Sequence, residues 1–425
     1  MASALELRCR EVVRERVRSG MSADRSRAGE FRADIARLAR EACAELGASD
    51  PSEIEACCRF VVDDFTGLGP MQVVFDDDRV TEVMVVPGGQ APDGSLKTPS
   101  LWAEIGGKTY PMNFVDLISA DDVWRVVSRI AEQCGRRCDE SSPLLDARLP
   151  DGSRVNSVHW AVCPAGPSVN IRKFSRNWLS AEDLAGLGAL SRQMLAFLKS
   201  AVLARANIVV SGGTGSGKTT LLNALGGFIP ADERVITIED TLEVQLPQPD
   251  QINLQARPAN IEGAGAVTMH DLLVNTLRMR PDRIIVGECR DAETYEMLQA
   301  MQTGHDGSMT TVHANDCAGA FTRIENMVVS SFGNMTSEAI RAQIGSAVDL
   351  VVQTRRYRDG SRRISSITSV DGYADGQIRR MELFCYDEAA REFAGCGMQP
   401  ESLRERMRLA GAEYDASWFF GGGIR

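Results

Sequence analysis

The chain has 425 residues and a mass of 46.3 kDa, a length that corresponds to about two or three domains. Its composition, 44% hydrophobic and 25% charged residues, is that of a folded globular protein and excludes a disordered or fibrous chain. The formal net charge of −11 is opposite in sign to the basic surface that non-specific nucleic-acid binding needs, so we expect no bulk DNA or RNA partner.

The sequence also disfavours membrane insertion and disulfide formation. No stretch approaches the ~20 consecutive apolar residues of a membrane span, and the N-terminus is charged throughout instead of carrying an apolar signal peptide. We therefore expect a cytoplasmic protein with no transmembrane segment. The 11 cysteines are scattered without a CxxC pair, which indicates reduced thiols that serve packing rather than a disulfide framework or a zinc ribbon.

A helical N-terminal extension is predicted for residues 1–49. Apolar residues recur there at helical spacing, and the pattern is interrupted near Gly20. The helices either dock a partner or pack as a pair on their own domain. The arginines of this region are balanced by glutamates, so they do not form a nucleic-acid-binding arm.

An α+β domain is predicted for residues 50–178. Its Gly/Pro-rich stretch, residues 87–99, is expected to be a loop or a hairpin connection. The predicted helices are residues 52–65 and 121–134, and the predicted strands are residues 82–86, 154–162 and 169–174.

An α/β domain is predicted for residues 179–425. Ser180 and Asp183 form a capping-box pattern at the start of a short helix, and a longer helix is expected at residues 191–205. Apolar β-rich runs then alternate with helical segments, which indicates a largely parallel sheet covered on both faces. The runs are residues 207–211, 235–239, 283–286, 308–312 and 350–354, followed by a strand pair at 363–370 and 377–384 and a helix at 401–409.

A glycine-rich segment directly follows the first of these strands. It reads GGTGSGKTT and satisfies the phosphate-binding pattern GxxxxGK[ST], with an apolar strand before it and a helix after it. Glycines let the backbone curl around phosphate oxygens, so that N–H groups and the helix N-terminus face the anion. We expect Lys218 to reach the β- and γ-phosphates of ATP and the Thr219 hydroxyl to bind Mg²⁺. The predicted ATP-binding residues here are Gly212, Gly213, Thr214, Gly215, Ser216, Gly217, Lys218, Thr219 and Thr220.

Acidic residues follow two further predicted strands. Glu239 ends the run at residues 235–239, and Glu288 comes two residues after the run at 283–286. Parallel sheets place ligand groups at the carboxyl ends of their strands. Phosphoryl transfer needs one anionic group to hold the metal and another to orient the attacking water. We therefore predict that both carboxylates are catalytic.

Two of the four histidines, His305 and His313, lie in the segment TGHDGSMTTVHAN. A zinc site formed by this pair is conceivable. However, the spacing of the two residues matches no common ligand pattern, and no CxxC accompanies them.

Together, GGTGSGKTT, TIEDTLE, IIVGECRDAE and TGHDGSMTTVHAN resemble the Walker A, Asp box, Walker B and His box motifs of the secretion ATPase superfamily. Its members are the hexameric motors of type II and type IV secretion, type IV pili and archaeal flagella. Further segments, such as RRCDESSPLLDARLPDGSRVN and VNIRKF, look like the branch of the Flp/Tad pilus assembly ATPases (CpaF family) and their conjugation relatives. The resemblance covers about residues 50–385.

The resemblance implies an architecture and a set of partners. The fold would be a RecA-like P-loop ATPase domain preceded by a smaller α+β domain and the helical extension. The protein would form a homo-hexamer with ATP and Mg²⁺ as cofactors, and it would act at the inner face of the cell membrane on an inner-membrane platform protein. Interdomain motion driven by hydrolysis would power pilus assembly or secretion.

The resemblance also implies roles for individual residues. Glu239 would activate the hydrolytic water and Glu288 would complete the Mg²⁺ shell, although these two roles could be exchanged. His305 and His313 would sense the γ-phosphate. Arginines compensate the charge that spreads over the transferring phosphoryl group. The candidates for this task are Arg148 and Arg154, with Arg172 as a weaker addition, and Arg290 would bind ATP near the two histidines.

Three alternatives to the pilus motor stay open at this point. A type IV secretion or conjugation motor belongs to the same superfamily. A non-catalytic, nucleotide-gated scaffold belongs to another class, and intact Lys218, Glu239, Glu288 and His305 argue against it. A RecA-like DNA motor conflicts with the acidic composition and with the lack of an aromatic and basic platform for single strands.

Overall fold

A computed structural model of the chain describes residues 3–20, 28–95, 97–115, 119–174, 178–260, 263–333 and 335–420. The chain divides into two compact units, Met1–Ser175 and Arg176–Arg425. Within the described ranges, no helix combines the length and the apolar composition that crossing a bilayer requires.

The first unit begins with a bundle of three helices. The helices are α1 (Ala4–Gly20), α2 (Ala28–Glu45) and α3 (Pro51–Thr66), and their apolar faces share one core. The Asp50 side chain caps α3 by accepting a hydrogen bond from the Ser52 N–H at 3.0 Å. The bundle therefore agrees with the expectation that the N-terminal helices pack on their own domain rather than dock a partner. The break predicted near Gly20 falls on residues 21–27, which lie outside the described residues.

A buried ion network joins this bundle to the rest of the first unit. Arg14 of α1 contacts Asp64 of α3 at 2.9 Å, and Arg10 contacts Asp122 at 3.3 Å. Asp122 lies in α5 (Ala120–Gln133). The N-cap residue of this helix is Ser119, whose hydroxyl accepts a hydrogen bond from the Asp122 N–H. Removing one partner from such a buried set leaves an uncompensated charge, so the network fixes where α1 packs.

The rest of the first unit is an antiparallel sheet with the strand order β3-β2-β1-β6-β5-β4. Apolar residues of α5, including Val123, Val126, Val127 and Ile130, pack against the sheet. A short helix, α4 (Gln72–Phe75), precedes the first strand. The strands are β1 (Val80–Val86), β2 (Ser100–Ile105), β3 (Lys108–Pro111), β4 (Leu144–Arg148), β5 (Arg154–Val158) and β6 (Ser168–Arg172).

The second unit is built on a nine-stranded sheet with the order β15-β14-β13-β12-β7-β11-β10-β8-β9. The six strands from β12 to β9 are parallel, and β13, β14 and β15 add antiparallel pairs at one side. The parallel strands are β7 (Ile208–Gly212), β8 (Val235–Glu239), β9 (Gln251–Gln255), β10 (Arg283–Val286), β11 (Met309–Val312) and β12 (Leu350–Arg356). The antiparallel strands are β13 (Arg362–Ala374), β14 (Gln377–Asp387) and β15 (Glu392–Gly395).

Helices cover both faces of this sheet, as the fully buried strands β7, β8, β10 and β11 require. One face packs on α6 (Ala181–Gly186), α7 (Arg192–Leu203), α8 (Lys218–Gly226) and α13 (Glu401–Leu409). The other packs on α9 (Met269–Thr276), α10 (Glu293–Gln302), α11 (Cys317–Ser331) and α12 (Ser337–Ala347). The capping box predicted for α6 is present, with reciprocal Ser180–Asp183 bonds. The predicted α/β fold class is confirmed.

Several strand predictions need correction. The strand predicted at residues 154–162 ends at Val158, because residues 159–163 turn back on themselves through bonds from the Val162 and Cys163 N–H groups to the His159 carbonyl. The predicted C-terminal strand pair exists but is longer, and it extends the main sheet. The sequence analysis did not find β2, β3, β4, β9 and β15.

Candidate functional site

The glycine-rich segment forms a loop between the buried strand β7 and the helix α8. Gly215 and Gly217 have φ values of +69° and +95°, which residues other than glycine rarely adopt. A Cβ atom at Gly212 would lie 2.7 Å from the Thr354 carbonyl oxygen and would also clash with the Ser216 and Thr354 hydroxyls. Those two hydroxyls lie 2.8 Å apart. Gly212, Gly215 and Gly217 are therefore required by the path of the backbone.

The helix α8 begins immediately after this loop. Its N-cap residue is Gly217, which has no side chain with which to cap the helix, and Thr219 and Thr220 lie in its first turn. The first N–H groups of a helix have no intrahelical partner and attract anions. The loop and α8 thus form a site of the kind that binds phosphate.

A chain of polar contacts leads from the loop to the acidic residue after β10. The Lys218 Nζ lies 3.1 Å from the Gly213 carbonyl oxygen and 3.4 Å from each ring nitrogen of His313. The His313 Nε2 lies 3.0 Å from a Glu288 oxygen, and the Arg290 guanidinium donates to the other Glu288 oxygen at 2.7 Å. The structure therefore brings together four of the predicted site residues.

The electrostatics of these four contacting residues favour a neutral His313 imidazole. Burial lowers the pKa of His313 below its ordinary value, and the nearby Lys218 ammonium lowers it further, while Glu288 acts in the opposite direction. The hydrogen bond to Glu288 raises the pKa of Arg290. At neutral pH, the positive charges in this series of contacts are therefore those of Lys218 and Arg290.

Glu239 lies close to this series of polar contacts, but its side chain is bonded by backbone N–H groups. Its side chain is buried at the end of β8, and one carboxylate oxygen accepts hydrogen bonds from the N–H groups of Glu243 and Val244 at 2.9 and 3.0 Å. A Cβ atom at Gly287 would lie 2.8 Å from the Glu239 Cγ, so the close approach requires glycine there. The neighbouring Asp240 contacts Arg290 at 3.3 Å. Sequence reasoning assigned no role to Asp240.

His305 is not brought to the loop within this chain, and its predicted contact with the γ-phosphate stays a prediction. It precedes β11, whereas His313 follows that strand. Because β11 runs parallel to β7, residues before β11 lie at the sheet edge opposite the glycine-rich loop. The Ser308 hydroxyl donates to the His305 carbonyl at 2.7 Å, and the Gly307 N–H donates to Asn207, which precedes β7. The placement also excludes a zinc ion shared by the two histidines.

The predicted arginines of the first unit form a group of their own. Arg148 pairs with Arg154 across β4 and β5, and Arg154 pairs with Arg172 across β5 and β6. Directly opposed residues project from the same face of an antiparallel sheet, where like charges repel one another. Three guanidinium groups on one face of this sheet edge are suited to binding an anion.

Two further arginines lie beside the glycine-rich loop and were missed by the sequence analysis. The Arg356 Nη1 lies 3.6 Å from the position of a Cβ atom at Gly215, and the Arg362 Cδ lies 3.6 Å from that at Gly217. They are cross-strand partners at the ends of β12 and β13. The arginine-rich sequence RRYRDGSRR, which begins within the last two residues of β12, was the signal that could have identified them.

Comparison with known proteins gives one family. The model of the family described as "Type II/IV secretion system protein" matches residues 96–383. A Mycobacterium tuberculosis protein named as a putative conjugal transfer protein, Rv3659c, is 33% identical over an alignment of 351 positions that covers 81% of this chain and 95% of that protein. The type IV secretion system protein VirB11 of Bartonella henselae is 31% identical over an alignment of 341 positions that covers 71% of this chain and 91% of that protein.

Among solved structures, the pilus retraction motor PilT with bound ADP is similar in fold. The match has a TM-score of 0.50 and 19% identity, and it covers 80% of this chain and 88% of PilT. At this identity, the similarity concerns the fold alone.

Proposed function

Because the chain belongs to the type II/IV secretion system protein family, we propose that it is an ATP-hydrolysing motor that powers a type IV secretion or conjugation machine. The observation that carries the proposal is the contact chain from Lys218 through His313 to Glu288. It connects a phosphate-binding loop with an acidic residue at the carboxyl end of a parallel strand, which is the arrangement that nucleoside triphosphate hydrolysis uses.

In this proposal, the phosphates of ATP lie in the loop between β7 and α8. The backbone N–H groups and the start of α8 bind the phosphate oxygens, and Lys218 exchanges its contacts with Gly213 and His313 for the β- and γ-phosphates. His313 then faces the γ-phosphate as a neutral hydrogen-bond donor. Loss of the γ-phosphate would let Lys218 and His313 meet again, which links the chemical state of the nucleotide to the position of β11.

The residues present fit a magnesium ion. The Thr219 hydroxyl and the Glu288 carboxylate are oxygen donors of the kind that Mg²⁺ prefers, and Glu288 is already held by two positively polarised partners, Arg290 and His313. When bound, Mg²⁺ would neutralise charge on the β- and γ-phosphate oxygens. Glu288 would hold its coordination shell either directly or through water.

Glu239 is proposed to orient the attacking water. Its bonds from the N–H groups of Glu243 and Val244 fix the carboxylate without neutralising it, so the group stays available as an acceptor for a water proton. The exchanged assignment makes a different prediction. If Glu288 orients the water, Glu288→Gln lowers kcat without changing the Mg²⁺ requirement, whereas the present assignment gives that result for Glu239→Gln.

Arginines would compensate the charge of the phosphoryl group as it is transferred. Arg290 is proposed to act from the Glu288 side. The role of Arg148, Arg154 and Arg172, which the family resemblance implies, stays a prediction. The active form is proposed to be a homo-hexamer located at the cytoplasmic face of the membrane, with an inner-membrane component of the secretion machine as its partner.

Phosphate release from ATP by the purified full-length chain tests the enzymatic part. With Mg²⁺, the wild-type protein should release phosphate, Lys218→Ala should reduce the rate to background, and Lys199→Ala on the surface of α7 should retain it. A chain that binds ATP in an assembled ring without turnover would instead support the nucleotide-gated scaffold. Stimulation of the rate by DNA would support the DNA motor.

Pilus assembly of the Flp/Tad type is the second candidate output, and it rests on the resemblance of four segments, at residues 65–85, 136–156, 169–174 and 339–368. The names of the relatives favour secretion or conjugation over this prediction. Neighbouring genes test the choice. A relaxase or coupling-protein gene beside this one supports conjugation, and genes for pilin, prepilin peptidase and a platform protein support pilus assembly.

A further inference from the structure

Four of the eleven cysteines lie in the core of the helical bundle formed by α1, α2 and α3. Cys9 comes from α1, Cys43 from α2, and Cys57 and Cys58 from α3. Cys9, Cys43 and Cys57 have no exposed surface, and their Sγ atoms all lie within 4.8 Å of one another. Each of the three helices thus delivers one thiol to the same point.

The spacing of these sulfur atoms matches a tetrahedral metal site. The Cys9 and Cys43 Sγ atoms are 3.8 Å apart. Around a zinc ion with Zn–S bonds of about 2.3 Å, two thiolates of a tetrahedron are also separated by about 3.8 Å. Cys58, the residue after Cys57 in α3, interacts with Cys43 and is the candidate for a fourth sulfur. Three sulfur atoms, one from each helix, are therefore already grouped as the ligands of a single ion would be.

Packing alone accounts for the position of each cysteine but not for their convergence. A free cysteine behaves as a small hydrophobic residue, and the other buried positions of this core are filled by Ala, Val, Ile and Leu. Those residue types would fill the same volume. Four of the eleven buried side chains in this core are cysteines, and three of them meet at one point. A metal ion bound by their sulfur atoms explains this arrangement better than packing does.

The chemistry of binding follows from burial. Burial raises the pKa of the Cys9 thiol to about 12, and it raises the pKa of Cys57 and Cys58 as well. These three thiols are therefore protonated at neutral pH when no metal is bound. A divalent ion must displace one proton for every thiolate that it binds, so affinity should increase with pH, and no electron is transferred.

We propose that Cys9, Cys43 and Cys57, with Cys58 as the fourth candidate ligand, bind a zinc ion that fastens α1, α2 and α3 together. The sequence contains no short metal-binding motif for this site, because the sulfur atoms come from three different helices. The proposal is independent of the nucleotide site and of the proposed function.

Titration of the reduced, metal-free full-length chain with Co²⁺, followed by displacement with Zn²⁺, tests the proposal. A more exposed group, Glu382, Cys385 and Cys396, could also bind metal. All samples therefore carry Cys396→Ser. The variant to be compared is Cys57→Ser, and the matched control is Cys138→Ser, which removes a buried thiol of the same unit outside the cluster.

The expected result is one Co²⁺ per chain with a sulfur-to-cobalt charge-transfer band, release of three or four protons, and full displacement by one Zn²⁺. Cys57→Ser should weaken binding by more than about 100-fold, beyond the 10–100-fold effect of an outer-shell partner, and Cys138→Ser should leave it unchanged. If the Cys57→Ser variant does not fold, the proposal is tested by the charge-transfer band and by the number of protons released from the Cys396→Ser chain. Absence of both, or a Cys9–Cys43 disulfide in place of metal binding, overturns the proposal.

Discussion

Lys218 and His313 are 95 positions apart in sequence, yet the Lys218 Nζ lies 3.4 Å from both ring nitrogens of His313. The contact exists because β7 and β11 are parallel neighbours, so the residues that follow them emerge at the same sheet edge. A histidine in this place is kept neutral by burial and by the lysine charge. This gives the proposed γ-phosphate contact a pH dependence that can be measured.

Replacing His313 should impair the chemical step more than nucleotide binding. His313→Ala is expected to lower kcat by about 100-fold, the usual effect of removing one donor to a developing negative charge. Because the pKa of His313 is lowered from 6.5, the imidazole is neutral at pH 7, and wild-type turnover should fall only as the pH decreases below 6.5. Steady-state kinetics from pH 5 to 8 tests this, with His270→Ala on α9 as the control. An unchanged acid limb in His313→Ala would contradict the assignment.

Gly212 should tolerate no side chain. In Gly212→Ala the new methyl group would lie 2.7 Å from the Thr354 carbonyl oxygen, which belongs to the neighbouring strand and cannot move cheaply. We expect the free energy of unfolding to fall by about 1–3 kcal/mol, as for other overpacked sites. Gly213→Ala is the matched control, since a Cβ atom there meets nothing within 4 Å. Urea denaturation without nucleotide distinguishes the two variants, and equal midpoints would refute the steric argument.

The parts of this fold that sequence predicts well are those where local pattern and burial agree. The strands β7, β8, β10 and β11 are fully buried apolar runs, and the glycine-rich loop is specified by its own residues. The strand β3 carries no such signal, because all four of its residues are exposed at the sheet edge. β9 is likewise half exposed and lacks a continuous apolar run.

The candidate site shows a second limit, which is one of topology. His305 and His313 belong to one sequence motif, which does not distinguish their positions. Only the direction of β11 shows that they lie at opposite ends of this strand. Arg356 and Arg362 reach the loop from strands far along the chain. Their proximity depends on β12 pairing with β7, which no local pattern indicates.

Arg283 should be among the most sensitive positions for stability. Its side chain is fully buried at the start of β10, where it bonds Glu233 and donates to the Val202 carbonyl at 2.8 Å. Arg283→Met leaves Glu233 with only the more distant Arg205, at 3.9 Å, so we expect a loss of about 3–5 kcal/mol. The exposed pair Arg234–Asp250 is the control, and Arg234→Met should cost less than about 1 kcal/mol.

A double-mutant cycle separates the charge effect at Arg283 from lost packing. Adding Glu233→Leu to Arg283→Met should recover part of the stability, because the uncompensated charge is then removed. Thermal and urea unfolding measure both changes. Additive losses in the double variant would show that Arg283 acts through packing alone.

Arg356 and Arg362 are expected to contribute to ATP affinity. Both side chains are exposed and lie beside the two glycines whose positive φ values shape the loop, so they can turn toward bound phosphates. A hydrogen bond to a charged group contributes about 1.5–3 kcal/mol, so Arg356→Ala and Arg362→Ala should each raise the Kd for ATP by at least about tenfold. Arg358→Ala, on the same hairpin, is the matched control. Titration with a fluorescent ATP analogue at two salt concentrations measures the effect, which should shrink at high salt because ions screen exposed charges. Equal affinities in all three variants would place the phosphates out of reach of this hairpin and leave Lys218 and the backbone N–H groups of the loop as the phosphate ligands.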